Sequence, residues 1–126
     1  MEERIPPDLE EDLLRRVREQ IGYEVLGDVT ALYEMTLPEI RRERAEAIEG
    51  IGEFVRWVES AVIESIQVDA YTPRATARPG HPPAARVLLA VRYNGGEKVA
   101  RLATVWVRRD GAWFTTSLGK LHGGQA

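Results

Sequence analysis

Apolar positions in the first half of the chain recur at three- and four-residue spacing. Leu9, Leu13, Leu14, Val17 and Ile21 form such a stripe, with Glu10, Glu11, Arg15, Arg16 and Glu19 largely on the other face. This predicts an amphipathic helix. Pro6-Pro7 ends an N-terminal arm, and Asp8 followed by Glu11 fits a D-x-x-E form of the capping box. Gly22 and Gly27 punctuate the helix end, and Asp28 is placed to cap a short second helix carrying Leu32, Tyr33 and Met35. Thr36-Leu37-Pro38-Glu39 reads as another start, with Thr36 as the cap and Pro38 in the first turn. The stripe that follows holds Ile40, Ala47, Ile48, Ile51, Phe54, Val55, Trp57 and Val58, and Gly50 and Gly52 bend or break it.

After about residue 60 the period changes to two. Val62, Ile66, Val68 and Ala70 alternate onto one face of a first strand, and Ala85, Val87, Leu89, Val91 and Tyr93 onto one face of a second. Asn94-Gly95-Gly96-Glu97 makes a tight connection to a third strand over Val99 to Val107, and Asp110-Gly111 turns into a fourth from Ala112 to Leu118. A loop from Thr72 to Pro83 holds four prolines and two arginines and is expected to be mobile or ordered only against a partner. Helices followed by antiparallel strands predict an α+β domain, its N-terminal helices packed on a curved sheet of about four strands. Residues 1–7 read as an arm, 8–118 as a single domain and 119–126 as a tail. The face opposite Val87, Leu89 and Val91 still holds Leu88 and Ala90, and the third strand carries apolar residues on both sides. A sheet apolar on both faces needs two covers. The expected second cover is another copy of the chain, giving a homodimer through the open sheet face with Leu88, Ala90 and Trp106 in the interface.

The chain's 126 residues are 44% hydrophobic and 29% charged, which excludes wholesale disorder. There is no cysteine, and the only histidines are His81 and His122, so thiolate chemistry and histidine-rich metal clusters are excluded and no metal or cofactor is expected. His81 in its proline loop and His122 in the tail read as exposed side chains. No apolar run approaches the ~20 residues of a membrane span, and the charged start is unlike a signal peptide, so a cytoplasmic location is expected. Net charge is −3, divided as 16 acidic against 8 basic side chains in residues 1–60 and 4 against 9 thereafter. The basic residues are scattered rather than clustered, so nucleic acid is not an expected partner. No phosphate loop, nucleophile elbow or metalloprotease helix occurs.

Gly27-Asp28-Val29-Thr30-Ala31-Leu32-Tyr33, running into the Pro38-Glu39 helix start, resembles a stretch of nuclear transport factor 2-like domains. Arg109-Asp110-Gly111-Ala112-Trp113 is similar to the D-G-x-W hairpin that closes such domains, and Ile63 to Asp69 resembles their long first strand. The resemblance covers roughly residues 8–118. It implies a cone-shaped domain with a pocket at the open end and frequent dimerisation through the sheet; the small hairpin that many members carry between their second and third helices is missing. The family holds ketosteroid isomerases, polyketide cyclases and dehydratases beside many non-enzymes, so the site must decide.

An isomerase-type site needs a carboxylate base and hydrogen-bond donors aimed at one oxygen. Of the four acids in the strand half, Glu97 and Asp110 fall in turns. Glu64 shares strand parity with Val62, Ile66 and Val68, while Asp69 has Tyr71 two residues on, on the same face; Asp69, Tyr71 and Glu64 are the catalytic candidates, and the bland reading is solvated carboxylates. No pair of acids has the placement an isomerase requires. Tyr33, Phe54, Trp57 and Trp113 are candidates to line a pocket for a small apolar ligand. The expectation is therefore a non-catalytic, homodimeric small-ligand-binding or assembly module, the alternative being a small-molecule enzyme that uses a pocket carboxylate.

Overall fold

The computed structural model describes residues 4–43, 45, 46, 48, 58–73 and 83–116. Helix α1 spans Pro7–Leu26 and α2 spans Val29–Met35, followed by a short 3-10 helix over Pro38–Ile40. Four strands follow: β1 (Ala61–Thr72), β2 (Ala84–Tyr93), β3 (Val99–Arg109) and β4 (Ala112–Thr115). They pair antiparallel in sequence order β1-β2-β3-β4, and α1 and α2 pack on one face of this open sheet. The fold is the expected α+β arrangement.

Local chemistry explains most of the boundaries. Pro7 occupies the first position of α1, where its missing N–H costs nothing. Asp8 therefore lies inside the first turn, and the capping box expected there does not form. The helix runs through Gly22 and ends only at Gly27, whose φ of 71° is the left-handed conformation that closes a helix. Asp28 caps α2 as expected, accepting a hydrogen bond from the Ala31 N–H at 3.1 Å. Thr36 does not cap the following helix. It closes α2 by donating from Oγ1 to the Leu32 carbonyl at 3.0 Å, and it forms a parallel bridge to Thr115 that ties the helical layer to the sheet. Both hairpin turns take the positive φ expected of them, at Asn94-Gly95 (55° and 66°) and Asp110-Gly111 (53° and 79°). The Asn94 side chain also accepts from the Glu59 and Ser60 N–H groups, anchoring the start of β1 to the β2–β3 turn.

The core lies between α1 and the inner sheet face. Leu13, Val17 and Ile21 meet Ala85, Val87, Leu89, Val91, Leu102, Trp106 and Trp113. Ile5, just before the helix, belongs to the same cluster. A smaller cluster joins Leu32 to Ile48. Most of the expected long helix after Pro38, the loop over residues 74–82 and the tail over 117–126 lie outside the described residues. No described helix is long and apolar enough to cross a membrane.

Candidate functional site

The two strand carboxylates sit at the two irregularities of β1. Pairing with β2 slips between Ile63 and Ser65 and again between Val68 and Ala70, so Glu64 and Asp69 are each an extra residue in the ladder. Such bulges re-phase the strand and increase its twist. The first one turns Val62 outward and puts Ile63 into the core, against the parity expected from simple alternation. The second puts Tyr71 into the core opposite Ala85 while Asp69 turns to an ion pair with Arg86. Glu64 likewise pairs with Arg92. Both arginines project from β2 on the side away from Val87, Leu89 and Val91, so neither carboxylate enters the interior. Asp69 and Tyr71 do border one open cleft of about 380 Å³, together with Arg4, Ile5 and Glu10.

The aromatic candidates divide. Trp113 is fully buried, donates from Nε1 to the Leu9 carbonyl at 3.2 Å and is covered by the Arg108 guanidinium; it is core, not pocket wall. Trp106 is equally buried on the inner face and donates to Thr104 Oγ1 at 3.0 Å, which removes it from the proposed interface on the outer face. Tyr33 lines a shallow depression with Val29, Thr30, Ala45 and Ile48, with Arg41 over its ring. Phe54 and Trp57 lie outside the described residues. Leu88 is half-buried on the outer face, and Ala90 beside it is already covered by its own chain.

A buried polar pair on α1 lies outside the residues expected to form a site. Gln20 and Glu24 are buried on the inner side of α1, and Glu24 is only 2% exposed. Gln20 Nε2 donates to Glu24 Oε1 at 3.3 Å, whereas Glu24 Oε2 has no hydrogen-bond partner among the described residues. Burial disfavours the charged form and pushes the Glu24 carboxyl up to about 8, the Gln20 contact opposing this in part. Tyr93, at the end of β2, has its hydroxyl pushed up by burial and by the Glu24 charge. At neutral pH this is a neutral carboxyl beside an amide and within the electrostatic reach of a phenol: an acid, not a base. A signal was present in the spacing. Positions 13, 17, 20 and 24 continue one helical stripe, and its last two places hold polar residues.

Among the described residues, no group of three or more His, Asp or Glu side chains gathers as a metal site would require. No family model matches the chain, and searches of curated proteins and of solved structures likewise find no match.

Proposed function

We propose that this chain is a non-catalytic, homodimeric module of nuclear transport factor 2-like type that assembles through the outer face of its sheet. The family reading rests on the Gly27–Arg41 and Arg109–Trp113 motifs. The assembly reading rests on one observation, the apolar character of that face. Cross-strand register sets Leu88 beside Ala103, Ala84 beside Val107, and Val107 beside Phe114, with Val105 between them. Val105 is 36% exposed and Val62 55%. The apolar strip runs along β3 through Ala103, Val105 and Val107, with Arg86 and Arg101 beside it and Val62 apart, and exposed apolar surface of this kind marks an interaction site.

A second copy is the occupant that fits. The Asp69–Arg86 and Glu64–Arg92 pairs neutralise the flanking carboxylates within the chain, which leaves Arg101, exposed beside Ala103, as a cation on this face for a second copy to accommodate. A depression of about 370 Å³ lined by Leu88, Ala90 and Ala103, with Ser65, Gln67 and Arg101, lies along the strand from the exposed Val105, a hollow and an apolar side chain that a two-fold axis can bring together. A stable interface of this kind buries roughly 1,200–2,000 Å² in total. Light scattering should report a dimer, and Ala103→Arg should convert it to a monomer without loss of folding, because Ala103 is exposed. Leu88→Arg should act in the same direction. A wild-type monomer at high micromolar concentration refutes the reading.

One observation favours the enzyme alternative: the buried, neutral Glu24 carboxyl close to Tyr93. In that reading Glu24 is the proton donor to a small substrate, and Glu24→Gln abolishes turnover while leaving the dimer intact.

A further inference from the structure

The C-terminal half of α1 and the start of β1 enclose an open groove of about 590 Å³ on the flank of the core. Among the described residues its lining is mostly apolar, Ile21 and Val25 from the helix and Ala61 and Ile63 from the strand, with Ser60 beside them. Leu26 at one end is 78% exposed and extends the apolar surface of the groove beyond the helix end.

Two features of the groove are not explained by folding. The first is Gly22, which lies inside α1 four residues before its last residue and lacks the positive φ of the chain's turn glycines. A Cβ built there meets nothing within 4 Å, so no close approach requires glycine. A glycine inside a helix destabilises by roughly 1 kcal/mol relative to alanine. Here its effect is to leave a strip of bare helix backbone in the groove. The second is Arg18 at the other end. The neighbouring helix arginines are engaged, Arg15 with Asp12 and Glu19, and Arg16 with Glu19 and the Trp113 carbonyl. Arg18 has no hydrogen bond or ion pair among the described residues.

A cleft with an apolar body and, among the described residues, one unspent cation at its end matches a particular chemistry. We infer that the groove binds a single-chain amphiphile with an anionic head, a medium-chain monocarboxylate, its head on Arg18 and its tail along Gly22 toward Leu26. From Arg18 to Leu26 the helix rises about 12 Å, the length of an extended chain of about ten carbons. A guanidinium suits this head because it offers parallel N–H donors to a carboxylate. The site is on the helical side of the sheet edge and does not depend on the dimer proposed above.

Decanoate, decanol and decylammonium, each below its micelle concentration, are the probes, with binding followed by calorimetry and by amide chemical shifts. Decanoate binds most tightly, and the shifts map to residues 18–26 and 60–63. Arg18→Gln weakens decanoate about threefold to tenfold and leaves decanol unchanged. Gly22→Leu fills the strip and weakens decanoate at least about tenfold, while its melting temperature stays at or above that of the wild type, separating blockage from unfolding. Equal binding of decanoate and decanol, undiminished binding to Gly22→Leu, or no binding at millimolar decanoate each overturns the proposal. Binding to anionic vesicles without any response to monomeric decanoate makes this a membrane-facing surface and overturns it too.

Discussion

Replacing Glu24 with glutamine tests the interior of this domain directly. In an unfolded chain the carboxyl titrates near its ordinary value of 4.5, and in the folded protein burial holds it up to about 8. Below pH 4.5 both states are protonated and the group does not affect stability. Between 4.5 and 8 the unfolded chain releases a proton that the folded one keeps, so stability falls as pH rises. Each unit of difference is worth 1.36 kcal/mol, giving a loss of about 3 kcal/mol by pH 7 and about 5 kcal/mol once pH passes the folded value. Glu24 is 2% exposed, so solvent screens little of this. Against the ~5–15 kcal/mol that holds a typical domain together, the effect is large. Glutamine keeps the shape and removes the titration. Glu24→Gln should match the wild type within about 1 kcal/mol near pH 4.5 and exceed it by several kcal/mol at pH 8. Urea titrations at a series of pH values, read by the fluorescence of the buried Trp106 and Trp113, measure both curves. Parallel wild-type and variant curves between pH 5 and 8 refute the placement of Glu24 in a dry interior.

Two further substitutions probe the elements that hold the helices to the sheet. Asp28→Ala removes the side-chain acceptor of the Ala31 N–H and should cost about 1 kcal/mol, seen as a lowered urea midpoint with unchanged slope. Trp113→Phe removes the hydrogen bond to the Leu9 carbonyl and part of a fully buried ring, and should cost about 1–3 kcal/mol in the same assay without changing the oligomeric state.

Where local chemistry is decisive, the amino-acid order was enough. The change from a 3.6-residue to a two-residue period separates the helices from the sheet. Asp28, Asn94-Gly95 and Asp110-Gly111 act through their own backbone and side chain, and each does in the structure what its residue type allows. The clean alternation of β2 also placed Val87, Leu89 and Val91 together in the core. The phase of β1 was not legible, because an extra residue at Glu64 and another at Asp69 exist only relative to the partner strand; a slip of one position exchanges inside for outside. That exchange set Glu64 on the outer face against Arg92 and took Tyr71 inward, away from Asp69, which stays outside on Arg86. For β3, alternation groups Leu102 with Trp106, but which side faces the helices is a matter of how the layers stack, and Trp106 went inward. Glu24 makes the same point in reverse. Its place on the apolar stripe is written in α1, whereas its neutral state follows from burial on the sheet near Tyr93, a residue far along the chain. Turns and caps are decided within a few residues, but register, facing and desolvation depend on partners that only the folded chain brings together.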